Sequence, residues 1–311
     1  MLQAALSRLL SSLLVIVGSL ALVFCIFYLL PGDPVLSMVD PTSVSPEVIE
    51  NLRQQLGLDR PFHERLLTYF GDMLTGDFGR SLVGSDPVLP KILAQVPSTL
   101  LLTAASALVA VAVGVTLGVL SAVRKGGIID LIARIVGLFG ISMPTFWSGI
   151  LLILIFSVQL GWLPSMGSDG WRTLILPALA LGFVGAGSIV RMVRGSMLDV
   201  LNEPFITTLR AKGLRERAVQ YKHALRSALI PAVTLIGMQI GDMLAGTVII
   251  ETVFSRQGIG RILADAIMAK DLPVVQGIVF FTAIVYVGIN LLVDLSYAAI
   301  DPRIRRKGAK S

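Results

Sequence analysis

The sequence predicts an all-α integral membrane protein with six membrane-spanning helices, and three observations carry that prediction. Hydrophobic residues make up 54% of the 311 and charged residues only 15%, where soluble domains carry roughly 25% charged. The mean hydropathy is +0.81. The apolar residues gather into runs of about 20 positions, the length that crosses a hydrocarbon core. The Lys and Arg stand at the ends of those runs, where they orient a membrane protein, so the net charge of +6 does not indicate nucleic-acid binding.

Taken in order, residues 9–30 behind Arg8 form the first span. A signal peptide would show a shorter apolar region, about 7–15 residues, and then a small-residue cleavage site. This run is longer and stops at Pro31-Gly32-Asp33-Pro34, which predicts an uncleaved helix. Residues 31–95 carry nine acidic and five basic side chains among repeated turn signals and read as a long extramembrane loop. Within it, Ser45 to Leu56 predicts a short amphipathic helix, capped by Ser45, started by Pro46 and ended by Gly57.

Residues 96–300 form the transmembrane core, with further spans at 99–123, 135–158, 174–190, 229–250 and 276–300. Pro144 predicts a kink in the third span, covered by protein where its freed carbonyl needs a partner. Gly182, Gly185 and Gly187 predict close helix approach in the fourth. Trp162 and Trp171 suit interfacial anchors between them. Ile259, Ile262, Leu263, Ala266 and Ile267 recur with helical period and predict an amphipathic helix at the membrane surface.

Six spans put both termini on one side. That side collects 17 of the 26 Lys and Arg and the other 9, so the positive-inside rule makes the termini, the 195–228 loop and the basic 301–311 tail cytoplasmic and the 31–95 loop extracytoplasmic. The lone Cys25 permits no intrachain disulfide or thiolate cluster. His63 and His223 fall on opposite sides, which removes a paired-histidine metal site.

The stretch from Gly195 to Pro231 is polar and basic between two apolar runs. Pro204 suits the first position of a helix, Asn202 or Glu203 can cap it, Arg210 and Lys212 complement its carbonyl end, and Gly213 can take the left-handed conformation that stops it. Leu201, Phe205 and Leu209 share one side at four-residue spacing. A second basic helix from about Leu214 then enters the membrane near Pro231. A patch lying on anionic lipid is the alternative for this segment.

The chain has no Gly-Lys dipeptide and so no phosphate-cradling loop, no serine nucleophile elbow and no His-Glu zinc motif. It cannot drive transport by hydrolysing a nucleotide itself. A secondary transporter needs ionisable groups deep in the bilayer, and only Asp242 and Asp294 qualify. Asp294 suits pairing with a neighbouring Arg.

Several short motifs in order resemble the inner-membrane permeases of binding-protein-dependent ABC importers for dipeptides, oligopeptides, glutathione and nickel. They are Pro31-Gly32-Asp33-Pro34, Gln55-Leu56-Gly57-Leu58-Asp59, Gly76-Asp77-Phe78-Gly79, Arg210-Ala211-Lys212-Gly213, His223-Ala224-Leu225-Arg226, Glu251-Thr252-Val253-Phe254, Gly258-Ile259-Gly260-Arg261, Pro273-Val274-Val275-Gln276-Gly277, Asn290-Leu291-Leu292-Val293-Asp294 and Asp301-Pro302-Arg303-Ile304-Arg305. The resemblance implies a type I importer permease fold in a bacterial inner membrane. It implies no catalytic residue, metal or cofactor in this chain. Its implied partners are a second homologous permease in a heterodimer, two ATPase subunits that bind ATP and Mg, an extracytoplasmic binding protein and the bilayer.

It also implies that Phe205, Thr208, Leu209, Arg210, Ala211, Lys212 and Gly213 form a coupling segment seated on an ATPase subunit. The sequence departs from the family pattern at Thr207-Thr208-Leu209, where such loops carry Glu-Ala-Ala or Arg-Thr-Ala. Ser142, Ser148, Gln239, Asp242 and Thr247 are the polar candidates for the substrate path. The cargo implied is a di- or oligopeptide, with nickel, a metal chelate or glutathione as alternatives. An ATP-independent transporter or channel is the competing class, disfavoured by the bracketed basic loop and the missing internal repeat. An exporter half would need a fused nucleotide-binding domain.

Overall fold

The computed structural model describes residues 2–29, 35, 45–55 and 57–300. The Pro31-Gly32-Asp33-Pro34 motif, the 301–311 tail and the side chain of Asp294 lie outside the described residues. The described chain is helical: α1 Leu2–Leu29, α2 Pro46–Gln55, α3 Phe62–Thr75, α4 Val88–Val123, α5 Ile128–Ser142, α6 Thr145–Leu152 continued by π-helical turns over Ile153–Gln159, and α7 Arg172–Leu201. There follow α8 Pro204–Ala211, α9 Glu216–Ala218 with π-helical turns over Val219–Ala224, α10 Leu225–Val253, α11 Ile259–Met268 and α12 Leu272–Ile300. Five of these helices, counting the continuous Glu216–Val253 rod as one, are long and apolar enough to cross a bilayer, and the α5–α6 pair makes up to six.

The third span departs from the expected kink. It is broken: α5 and α6 meet at 112°. Met143 is extended at ψ 125° and Pro144 at ψ 136°, because the proline ring disfavours the helical region for the residue before it and removes one N–H. The fourth span is longer than 174–190, since Leu176 to Met197 supplies an uninterrupted inward-facing series.

Among the described residues, those within Ser98–Gln257 and Gly288–Ser311 form one compact unit. Its centre is α7, 61% buried over its apolar window against 33% or less in the other spanning helices. α7 meets α5 glycine to glycine: a Cβ on Gly187 would lie 2.7 Å from the Gly137 carbonyl, and one on Gly140 3.0 Å from the Gly187 Cα. Such contacts suit membranes, where no hydrophobic force drives helices together and close packing must.

The described residues within Met1–Pro97 and Gly258–Val287 form the second unit. Here α3 packs on the end of α1 through rings of Phe24, Tyr28, Phe62 and Tyr69, with Phe24 and Tyr69 stacked at 5.4 Å. Asp271, ahead of α12, is buried and accepts hydrogen bonds from the Ser81 hydroxyl and, at 3.0 Å, the Leu82 N–H, which pins the 77–87 loop. The expected helices of the 31–95 loop and of 259–267 appear as α2 and α11.

Candidate functional site

The helix between α7 and α9 is built by local chemistry. Glu203 is extended at ψ 145° and Pro204 opens α8, the arrangement in which a missing N–H costs nothing. The expected side-chain cap is not made; Glu203 supplies the cap position through its carbonyl, which accepts from the Ile206 N–H at 3.0 Å. Gly213 sits in the left-handed region at φ +76°, its N–H on the Arg210 carbonyl at 2.9 Å and the Leu214 N–H on that of Leu209 at 3.3 Å. These bonds satisfy the carbonyls that a helix end leaves open. Arg210 then grips Glu216 with two nitrogens, at 3.1 and 2.8 Å, and joins α8 to α9.

The four-residue row splits in the structure: Leu201 and Leu209 pack on the core and Phe205 does not. Ile206 is fully buried and Leu209 packs beside it, with Val219 and Ala224 of the following turns in the same core. Phe205, at 41% exposed, points outward. With Thr208 and Lys212, three and seven positions on, it presents an aromatic ring, a hydroxyl and an ammonium along one exposed side.

A charge cluster that sequence reasoning missed holds α7, the helix leading into this segment. Asp130, 2% exposed, receives Arg194 Nε at 2.8 Å and Nη2 at 3.1 Å, the Ser121 hydroxyl at 2.6 Å and the Gly126 N–H at 3.0 Å. Arg134 flanks it at 3.6 Å. One carboxylate thus ties α4, the turn after it, α5 and α7. The sequence signal was a lone acid in IIDLIARIVGL and the second of two bases in RMVRG, 64 residues apart.

The candidates for the substrate path separate. Ser148 is buried and donates to the Thr145 carbonyl at 2.7 Å and to Ala180 of α7 at 3.3 Å. Thr247 is 1% exposed and donates to Leu244 at 2.7 Å. Both are therefore turned into the chain's own packing, since a hydroxyl inside a bundle is satisfied by the nearest carbonyl. Ser142 is exposed where α5 ends, and Gln239 is half-buried. Asp242 is exposed and forms no ion pair or hydrogen bond among the described residues. It stands in an open row on α10 with Met238, Ala245 and Ile249, whose alternating spacing of four and three marks one helix face.

With this geometry in place, the comparisons with known proteins are decisive. Residues 114–306 match the family described as binding-protein-dependent transport system inner membrane component, and residues 1–103 match that described as its N-terminal part. The chain belongs to this permease family. The glutathione transport system permease protein GsiC of Escherichia coli (strain K12) is 43% identical over 286 residues, 92% of this chain and 93% of that one. The protein of the same name from Salmonella choleraesuis (strain SC-B67) is 43% identical over 307 residues, 99% and 100% of the two chains. A solved inward-facing structure of the MetNI methionine ABC transporter matches 70% of this chain and 99% of that one, with a TM-score of 0.59 at 23% identity, a likeness of fold.

The permease is therefore a multi-pass inner-membrane component of an ABC importer with the type I fold. It is a transport component and not an enzyme. Hydrolysis belongs to ATPase partners, and a substrate-binding protein is implied by the family's own description.

Proposed function

We propose that this permease forms half of the translocation path of an importer for short peptides, with glutathione, the cargo named for its 43%-identical relatives, as the first to test. The path is completed by a second homologous permease in a heterodimer. Two ATPase subunits bind ATP and Mg and seat α8, and an extracytoplasmic binding protein delivers cargo. Both termini and α8 are cytoplasmic, as the 17-to-9 split of Lys and Arg supports.

The observation that carries the coupling role is the two-sidedness of α8. Its inner side is locked by buried Ile206, while Phe205, Thr208 and Lys212 are exposed on the outer side. A helix anchored on its inner side transmits a push received on its outer one. Phe205, Thr208, Arg210, Ala211 and Lys212 supply the contact surface, Leu209 the anchor beside Ile206, and Gly213 the stop. Gln239, Asp242 and Ser142 line the path, and Asp242 favours cargo carrying a cationic group.

The test reconstitutes the complex with its ATPase subunits and partner permease and compares wild type with Phe205→Asp plus Gly213→Pro. Proline cannot adopt the left-handed conformation of Gly213, and the aspartate places a charge where the ring would dock. Assembly or cargo-stimulated ATP hydrolysis collapses while the chain still inserts in the membrane. Unchanged hydrolysis and assembly would remove α8 from the dock.

A further inference from the structure

The loop unit of Met1–Pro97 and Gly258–Val287 contains a cleft of about 430 Å³, within the ordinary range of small-ligand sites, roughly 300–1,000 Å³. Its walls are held by packing. Asp271 fixes the 77–87 loop through Ser81 and Leu82. Gly277 of α12 is crowded so closely that an added Cβ would meet Val88 at 2.9 Å and Phe78 at 3.0 Å. On the far side, α3 is fastened to α1 by the aromatic cluster around Phe24 and Tyr69.

The lining carries both signs of charge, unpaired. Arg60 and Arg65 contribute two guanidinium groups, Asp72 and Asp77 two carboxylates. None of the four forms an ion pair among the described residues. Arg65 leans over the Tyr28 ring at 5.5 Å, and Asp77 accepts one hydrogen bond, from the Gly79 N–H at 2.9 Å. Opposite charges that line one cleft without meeting are placed for a ligand bearing both. Tyr69 lines the same cleft, and its hydroxyl is buried with no hydrogen-bond partner, an uncommon state for a buried polar group and one that calls for an acceptor. Burial holds this phenol above the ordinary tyrosine range, so it remains a donor at neutral pH.

We infer that this cleft binds a small zwitterion with a free amino group and a free carboxylate, an amino acid or short peptide, whose carboxylate faces Arg60 and Arg65 and whose ammonium faces Asp72 and Asp77. The site lies outside the α8 and α10 machinery and does not depend on the importer reading. It gives the loop unit a role in holding solute as well as in folding.

The test uses the full chain with its partner subunits in lipid nanodiscs, without nucleotide, and measures binding of Ala-Ala, N-acetyl-Ala-Ala and Ala-Ala amide by titration calorimetry. Ala-Ala binds saturably, and each blocked form binds about tenfold more weakly. Arg60→Gln lowers affinity for Ala-Ala by about tenfold but leaves the amide unaffected, whereas Asp72→Asn spares the N-acetyl form. This crossed pattern separates charge recognition from misfolding, which would weaken all three probes alike. Absence of saturable Ala-Ala binding overturns the inference, and so does binding indifferent to both substitutions. Because no hydrolysis is read, either result leaves the importer assignment standing.

Discussion

Asp130 and Asp242 are both carboxylates within apolar helices of the membrane core, and the chain treats them oppositely. Asp130 is 2% exposed and surrounded by Arg194, Ser121, Gly126 and Arg134. Asp242 stands on the open row of α10 with no partner among the described residues. Removing a charge from water costs several kcal/mol unless geometry returns it. A carboxylate satisfied inside its own chain is a structural tie. One left open in a membrane helix looks outward, to water, cargo or a second permease.

The largest test of this contrast is Asp130→Ala. Breaking a buried pair from one side leaves Arg194 uncompensated and costs about 3–5 kcal/mol, to be read as a lower denaturation midpoint of the purified permease. A paired replacement of Asp130 and Arg194 by apolar residues costs less than the two single losses combined. An Asp130→Ala protein that melts like wild type would break the contrast.

Asp242→Asn should act on transport and spare the fold. Stability stays within about 0.5 kcal/mol, as for surface substitutions, while uptake of cationic cargo falls about tenfold relative to neutral cargo, the worth of ~1.4 kcal/mol. Equal, unchanged uptake of both cargo types would rule out the path role proposed for Asp242. The smallest effect belongs to Arg210→Gln. The Arg210–Glu216 pair is about half exposed at both ends, so its loss costs about 0–1 kcal/mol. A melting shift as large as that of Asp130→Ala would show that α8 is held from outside its core side.

The contrast also explains what the sequence could disclose. α8 was legible because its bounds are local: Pro204 and Gly213 act within one turn of themselves. The side shared by Leu201, Phe205 and Leu209 was legible only in part: Leu201 and Leu209 pack inward, Phe205 is exposed, and Ile206 joins Val219 and Ala224 of the following turns in the core. Asp242 was visible as a charge in an apolar run. Asp130 was not, because its meaning lies in Arg194, and no spacing rule joins residues brought together only by α5 folding onto α7. Pro144 marked the third span as irregular, but neither the 112° angle nor the close meeting of Gly140 with Gly187 of α7 can be read from that proline.

That corner bears on how the chain is made. α5 has 15 residues, about 22 Å at ~1.5 Å per residue, and α6 with its π-helical turns has a similar count. A hydrocarbon core is ~30 Å thick, so neither arm crosses as a straight rod. During synthesis the pair emerges before α7, the helix that covers its corner through Gly187 and Ala180. Insertion of the third run is therefore provisional until the fourth arrives, and a nascent chain halted before Gly187 would hold a membrane segment not yet committed to its place.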